Sequence, residues 1–283
     1  VNQPIIFKMK KSIIWAVLFV HCIAGTAQDP QAPDLQNGHN FIETRWYAEE
    51  EDLELLKLFD GLRVADVSDG MDMVGLPGTG LVDPAIHPSW VNYGSLSHII
   101  RGIALTVRYV PTQKPDRPEP GEDFSAWEGN FYNAYSSEAF VPLIHKGTII
   151  MIDDVEEKDI GSIGSNNVLT WKDHGAIGVV TDASSGDTDE VGLEEFPLYL
   201  REKGRGIRPG RNELESVNRP ISLGGVLVCP GDVVVADGDG VIVVPRKVAA
   251  EVAKNAQEVL SKDKAGRRRL YEKLGMPLDK TVK

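Results

Sequence analysis

The chain has 283 residues, of which 42% are hydrophobic, and its formal net charge is −12. A chain of this length and composition can bury one sizeable core, so we expect a single globular domain with additional segments at its ends. The acidic balance, with no basic stripe along any predicted helix, argues against nucleic acid as the main partner.

The N-terminal segment has the order of a secretory signal. Lysines precede the apolar run at residues 12–20, and the small residues Ala24, Gly25 and Ala27 follow it. We therefore predict a signal peptide at residues 1–27, export to the periplasm or the medium, and no membrane attachment after cleavage. An uncleaved N-terminal anchor is the alternative, although the apolar run is short for a membrane span.

The next segments predict a linker, two helices and a strand. Residues 28–45 are polar and contain proline, as linkers do. Leucines give residues 47–59 one apolar side, which is typical of an amphipathic helix. A second helix is predicted at residues 64–74, with Asp66 or Ser68 as its N-terminal cap. Residues 102–110 alternate as a strand does.

Two unusual segments follow. Residues 111–123 are rich in proline and cannot form a core element, so we expect them to overhang a surface or an oligomer contact. Residues 124–145 are predicted as one helix, because aromatic side chains recur there at helical spacings. This stripe is typical of a core or a subunit interface, with a ligand-binding box as the alternative. Its members are Trp127, Phe131, Tyr132, Tyr135 and Phe140.

The most informative segment is residues 161–190. A glycine turn at residues 161–164 opens a short helix, and backbone N–H groups at a helix start suit a carboxylate or a phosphate. The N–H groups concerned belong to Gly164, Ser165, Asn166 and Asn167. A buried strand at residues 177–180 follows, and we expect it to deliver Asp182 and Asp187 to the same rim. A carboxylate at that rim can hold a divalent cation.

The remaining elements are consecutive strands and a terminal helix. Residues 224–245 predict two or three strands, one of which carries Cys229 as a buried structural thiol. Residues 247–274 predict a long charged helix that is broken near Gly266. Its arginine run at residues 267–269 is interpreted as a solvated face, with an anion or subunit contact as the alternative. We assign residues 46–250 to the domain and residues 251–283 to a C-terminal helical extension.

Several of these motifs, in this order, resemble the RraA-like family. That family includes the 4-hydroxy-4-methyl-2-oxoglutarate/4-carboxy-4-hydroxy-2-oxoadipate aldolases and the regulator of ribonuclease activity A. The resemblance covers residues 50 to 250 and implies an α/β fold, specifically a β/β/α swivelling-domain-like sandwich with flanking helices. It also implies assembly as a homo-oligomer, a trimer or a hexamer. The motifs lie at residues 64–70, 101–107, 146–153, 161–171, 178–187 and 224–245.

One position departs from the family pattern. In the aldolases an arginine that binds the pyruvoyl carboxylate precedes the metal-associated aspartate, whereas here Gly186 precedes Asp187. Glycine cannot replace the two-pronged hydrogen bonding of a guanidinium. The resemblance implies Mg²⁺ or Mn²⁺ near Asp187, with Asp182 or Glu190 ordering a water. Arg205 and Arg208 lie in a basic loop that is the nearest source of a replacement cation, although such a loop can instead bind a neighbour's acidic surface.

The leading hypothesis is an exported, divalent-metal-dependent lyase of the aldolase or decarboxylase type. It would act on a small carboxylate-bearing substrate, an oxo or hydroxy acid, with weak or no activity on the usual pyruvate aldol substrates because the arginine is absent. The alternative is a non-catalytic RraA-like binding or regulatory protein. A methyltransferase gains no support, because no glycine-rich methyl-donor loop is present. The histidine spacings do not predict a zinc site.

Overall fold

A computed structural model of the protein describes residues 41–155 and 159–283. Residues 44–283 form one compact unit. The predicted signal peptide and most of the predicted linker lie outside the described residues. No helix in the described part of the chain combines the length and the apolar character needed to span a membrane.

The described residues contain six α-helices and two short 3-10 helices. The α-helices are α1 (Glu49–Lys57), α2 (Val64–Met73), α3 (Phe124–Ala134), α4 (Ser165–Asp173), α5 (Thr188–Leu193) and α6 (Ala249–Leu274). The 3-10 helices are Val141–Leu143 and Arg246–Val248. The two helices predicted before residue 75 are therefore confirmed as α1 and α2.

Twelve strands occur in the same part of the chain. They are β1 (His87–Pro88), β2 (Ile100–Pro111), β3 (Thr148–Asp153), β4 (Ala176–Thr181), β5 (Ser184–Ser185), β6 (Leu198–Leu200), β7 (Glu202–Lys203), β8 (Asn212–Val217), β9 (Ile221–Leu223), β10 (Val226–Val228), β11 (Val233–Asp237) and β12 (Gly240–Val244). The strands predicted at residues 102–110, 177–180 and 224–245 are confirmed.

The main sheet is mixed and has the order β1-β6-β4-β3-β2-β11-β12. Strands β2, β3, β4 and β6 run parallel to one another, whereas β1, β11 and β12 pair antiparallel. Strand β8 pairs with the second half of β2, beyond the part that pairs with β11. Strands β3 and β4 are buried on both faces, which explains their unbroken apolar sequences.

The core has three layers, because alternate side chains of each central strand point to opposite faces. One face of β2 and β11 packs against the small β9–β10 sheet. The opposite face packs against α2 and α6 at one end and against α4 at the other. This order of sheet, sheet and helices is the β/β/α sandwich expected from the sequence.

The prediction of one helix at residues 124–145 is correct for the first half of this range and wrong for the second. Helix α3 ends at Ala134, and the chain turns so that the Ser136 hydroxyl donates to the Asn212 side chain at 3.0 Å. Phe140 then reaches the core from the following segment and packs on Trp171, with ring centroids 5.5 Å apart. The aromatic stripe is only partly core, because Phe131 and Phe140 are buried but Tyr135 is exposed.

The break predicted near Gly266 is also wrong. Helix α6 continues to Leu274 and ends at Gly275, whose φ of 66° is the left-handed conformation that commonly follows a helix. A glycine inside a helix costs only about 1 kcal/mol relative to alanine, which a long helix tolerates. The first turns of α6 pack into the core beside α2, so the predicted boundary at residue 250 falls inside a core helix.

Two local predictions have simpler outcomes. Asp66 does cap α2, but from the third position of the helix, where its carboxylate accepts the Arg63 N–H at 3.0 Å. Cys229 directly follows β10 and is half-buried. Burial raises the pKa of the Cys229 thiol to about 11, which keeps it protonated near neutral pH. A protonated thiol agrees with the structural role expected for Cys229.

Candidate active site

Three loop segments are joined into one frame at the end of the parallel strands. Strands β5 and β7 pair in parallel, which joins residues 184–185 to residues 202–203. The Gly161 N–H donates to the Gly206 carbonyl at 2.6 Å, and the Gly186 N–H donates to the Ile163 carbonyl at 2.9 Å. Because these links join backbone atoms, the three segments are held in fixed positions relative to one another.

A cavity of about 710 Å³ lies within this frame. The glycine turn, the start of α4 and the loop at residues 204–208 supply most of its lining. Gly186 and Asp187 complete the lining, together with Tyr132 from α3. The glycine turn, Asp187 and the basic loop predicted from the sequence therefore share one cavity.

Asp187 sits against the first turn of α4. Its Oδ2 atom accepts the Ser165 N–H at 3.1 Å and lies 3.4 Å from the Ser165 hydroxyl. Asp187 has φ 47° and ψ 32°, a left-handed conformation that aspartate tolerates better than most residues. A Cβ on Gly164 would lie 2.9 Å from the same carboxylate, so a side chain at this position would displace Asp187. The chain's own carboxylate thus occupies part of the helix start that the sequence assigned to a ligand.

Of the four N–H donors predicted for a ligand, two already have partners within the chain and two do not. The Gly164 N–H donates to the Asn167 side chain at 2.8 Å, and the Ser165 N–H is used by Asp187. The N–H groups of Asn166 and Asn167 have no partner among the described residues. Only this second pair remains for a bound anion.

Arg208 supplies the buried positive charge of the cavity. It is 6% exposed, and its guanidinium donates to the Tyr109 hydroxyl and to Glu138, each at 2.8 Å. The rings of Tyr109 and Tyr132 lie 5.3 and 5.2 Å from its Cζ atom. A guanidinium has five N–H donors. The remaining donors of Arg208 have no protein partner within the described ranges, so they are available to a ligand.

Glu138 fixes this charge in place. In addition to Arg208, it accepts the Asn167 side chain at 2.6 Å and the Trp171 ring N–H at 2.9 Å. It therefore connects the loop that carries Arg208 to the helix that borders the cavity. Burial raises the pKa of the neighbouring Tyr109 phenol, so that hydroxyl stays protonated.

Arg205 lies on the rim and is mostly exposed. It pairs with Asp159 through its side chain and through its backbone N–H, which donates at 2.7 Å. These hydrogen bonds to Arg205 hold the pKa of the Asp159 carboxyl below its usual value. Arg205 and Arg208 are therefore not equivalent. Arg205 forms an ion pair in solvent, whereas Arg208 forms a buried ion pair.

Two predicted site residues lie away from the cavity. Asp182 is 2% exposed, and its carboxylate accepts the Asp154 N–H at 3.2 Å and the Gly224 N–H at 3.4 Å. The expectation that Asp182 shares a rim with Asp187 is wrong, because Asp182 turns inward to satisfy backbone donors. Glu190 is exposed in the first turn of α5 and does not line the cavity.

The residues present fit a cation held by one carboxylate, and not a protein cage. Within residues 41–155 and 159–283, no three His, Cys, Asp or Glu side chains are grouped to hold a metal ion. Asp187 lines the cavity, and its Oδ1 atom has no partner among these residues. A single carboxylate, completed by waters and substrate oxygens, is a usual way for proteins to bind Mg²⁺.

Sequence reasoning did not identify Glu138, Tyr109 or the pocket role of Tyr132. Glu138 lies in an irregular segment and meets its partners 29, 33 and 70 residues away. No local pattern marks such a residue. The arginines in the loop after β7 did not indicate which acid, if any, pairs with them.

The family follows from a direct comparison. A family model described as RraA-like, Aldolase/RraA, matches residues 64–243. The chain therefore belongs to the RraA-like family.

Two curated relatives agree with this membership. A putative 4-hydroxy-4-methyl-2-oxoglutarate aldolase from Halalkalibacterium halodurans is 30% identical over 127 residues, which is 44% of this chain and 60% of that protein. Protein DlpA from Legionella pneumophila is 26% identical over 200 residues, or 70% of this chain and 28% of its own length. The chain thus spans less than two thirds of either relative.

Solved structures show the same fold. An uncharacterized protein from Pseudomonas syringae has 26% identity and a TM-score of 0.60, covering 82% of this chain and 98% of its own. RraAS2 from Streptomyces coelicolor, an unusual member of the RNase ES inhibitor RraA family, has 21% identity and a TM-score of 0.63. That match covers 77% of this chain and 98% of the other. The mixed α/β sandwich is therefore a shared family fold.

Proposed function

We propose that the cavity beside Asp187 binds the carboxylate of a small oxo or hydroxy acid, and that the protein is a carbon–carbon lyase of the aldolase or decarboxylase type. One observation carries the proposal. The buried guanidinium of Arg208, with donors to spare, and the carboxylate of Asp187 line the same cavity. The first attracts an anion, and the second suits Mg²⁺ or Mn²⁺.

Each group in the cavity has a distinct task in this proposal. Arg208 donates charge-assisted hydrogen bonds to the substrate carboxylate, in the place of the arginine lost at position 186. The free N–H groups of Asn166 and Asn167 add to the binding of the same anion. Glu138 positions both the Arg208 and the Asn167 side chains by accepting hydrogen bonds from them. A divalent cation at Asp187 would polarise the 2-oxo group of the substrate. Asp182 and Glu190 contact no ligand.

The test is oxalate and pyruvate binding, measured by calorimetry in the presence of Mg²⁺. Arg208→Lys keeps the charge but removes the planar fork, so we expect at least about tenfold weaker binding. Arg205→Lys, the same exchange at the rim, is the matched control and should leave the affinity near that of the wild type. Equal affinities in all three proteins would overturn the assignment of Arg208.

A second candidate function is a non-catalytic binding protein. It is favoured by Asp187, which already uses one helix donor, and by Gly186, which provides no clamp. Turnover of a panel of 2-oxo acids separates the two candidates. Saturable binding without carbon–carbon cleavage of any member would support the binding protein and contradict the lyase.

Two further parts of the proposal concern location and assembly. We propose an exported protein whose mature N-terminus lies near Gln28, as the order of residues 1–27 indicates. We also propose a homo-oligomer, a trimer or a hexamer, by likeness to the family. N-terminal sequencing of the exported fraction and light scattering after gel filtration test these points. An intact Met9 in a cytoplasmic fraction, or a monomer at micromolar concentration, would contradict them.

A further inference from the structure

A second cavity, of about 330 Å³, lies away from the proposed active site and shares no lining residue with it. It is bordered by the turn before α2, the segment before β2, the second half of α6 and residues 280–281. We call it the basic cavity, because five of its eleven lining residues are cationic and none is acidic. The cationic residues are Arg63, Arg101, Lys264, Arg267 and Lys280. Such a concentration is unexpected in a chain with a net charge of −12.

The cations of the basic cavity are unequally neutralised. Arg63 is fully engaged, because it pairs with Asp66 at 2.6 Å and with Asp263 at 2.9 Å. Lys264 is half-buried and has no hydrogen-bond or ion-pair partner in the described part of the chain. Arg267 donates to the Thr281 hydroxyl at 2.9 Å, and that hydroxyl in turn donates to Asp279, whose carboxylate partly offsets the Arg267 charge. Lys264 therefore carries the least neutralised charge of the cavity, and Arg267 keeps N–H donors for a ligand.

Arg101 adds a half-buried donor group. Its Nε atom donates to the Leu62 carbonyl, and the other guanidinium N–H groups have no partner among residues 41–155 and 159–283. Burial lowers the pKa of this guanidinium, while Asp60 and Asp237 oppose that effect from a distance. A partly buried charged donor that has neither an acceptor nor full access to water is unfavourable. A bound anion would supply the acceptor.

Contacts within the chain also shape the cavity. Lys280 donates to the backbone carbonyls of Gly94 and Ser95, which ties residues 280–281 across one side. Leu96 adopts a φ of 56°, an uncommon conformation for a leucine. Leu96, Ile99 and Leu260 add apolar side chains to the lining. The cavity thus suits a small ligand with clustered negative charge and a short apolar part.

We propose that the basic cavity is a binding site for a small organic polyanion, a phosphomonoester or a polycarboxylate. Lys264 and Arg267 bind its charged groups, with Arg101 at the base of the site and Leu96 and Leu260 against its carbon skeleton. This site is independent of the lyase assignment. It would persist if the cavity beside Asp187 bound no oxo acid.

The experiment is calorimetric titration of the full chain with pyrophosphate and, separately, with citrate, at constant ionic strength and without divalent cations. We expect saturable binding of one ligand per chain. Lys264→Gln and Arg267→Gln should each weaken it at least about tenfold, as the loss of a charge-assisted contact implies. Arg269→Gln, which removes the same charge from the exposed side of α6, is the matched control and should change nothing.

The outcomes separate the possibilities. A preference for pyrophosphate assigns the site to phosphate-bearing ligands, and a preference for citrate assigns it to polycarboxylates. No saturable binding of either probe would overturn the proposal. Equal weakening by Arg269→Gln would also overturn it, because diffuse surface charge would then be the cause. Weakening by Arg208→Lys would place the anion in the other cavity and refute the basic cavity as its site.

Discussion

The cavity beside Asp187 contains two arginine–carboxylate pairs that differ in their exposure to solvent. On the rim, Arg205 and Asp159 pair in solvent, whereas at the base Arg208 and Glu138 pair in the interior. Exposed pairs contribute little to stability, because water and salt screen them. Burying an ion pair costs desolvation free energy, and removing one partner destabilises the protein much more because the other charge stays buried without compensation. The base should therefore carry both the stability and the binding function, and the rim little of either.

The largest effect should come from removing the acid at the base. Glu138→Ala leaves the Arg208 charge buried and also deprives Asn167 and Trp171 of their acceptor. We expect a loss of about 3–5 kcal/mol of unfolding free energy, measured by urea denaturation. Asp159→Ala, which breaks the rim pair, is the control and should leave the transition in place. Similar shifts for both variants would abolish the distinction between base and rim.

Metal binding should depend on one carboxylate of the cavity wall. Asp187→Asn keeps the size and the acceptor for Ser165 but removes the charge, so we expect Mn²⁺ affinity to fall at least about tenfold. The thermal midpoint without metal should stay unchanged. Asp189→Asn, two residues further along the chain in α5, is the matched control. Undiminished Mn²⁺ binding by the Asp187→Asn variant, followed by electron paramagnetic resonance, would refute the metal assignment.

Restoring the family arginine should strengthen the cavity as an anion site. A Cβ at position 186 would lie 3.5 Å or more from its neighbours, which is ordinary contact. A charge-assisted hydrogen bond is worth about 1.5–3 kcal/mol, so Gly186→Arg should raise pyruvate affinity by about one to two orders of magnitude. Gly186→Gln controls for bulk without charge. No gain with arginine, or an equal gain with glutamine, would show that this position no longer faces the substrate.

The smallest effect should come from the rim arginine. Arg205→Gln removes a solvated charge whose partner is also exposed, so we expect no shift of the thermal midpoint. Any loss of oxo-acid affinity should disappear when the salt concentration is raised, since only long-range attraction is lost. A salt-independent loss as large as that of Arg208→Lys would mean that Arg205 contacts the ligand directly.

The fold was more predictable than the site, for a physical reason. Buried strands such as β3 and β4 are recognisable by their unbroken apolar sequences, and α4 by the glycine turn before it. Both signals are local. The end of α3 was missed because aromatic spacing continues past Ala134, while the turn depends on a hydrogen bond from Ser136 to the distant Asn212.

The candidate site mixes local and distant determinants. Asp187 and the start of α4 were found because they lie in one short stretch of sequence. Asp182 was misplaced because strand position alone does not reveal that the Asp154 and Gly224 N–H groups need an acceptor. Arg205 and Arg208 were indistinguishable in sequence. Only the fold shows that Glu138 buries one of them.

Gly186 also bears on the history of the protein. Its φ lies outside the left-handed region, and there is room for a Cβ, so nothing in the backbone requires glycine at this position. An arginine could arise there by a single base change, because every glycine codon differs from an arginine codon at one position. The absence of arginine is therefore not locked in by the fold.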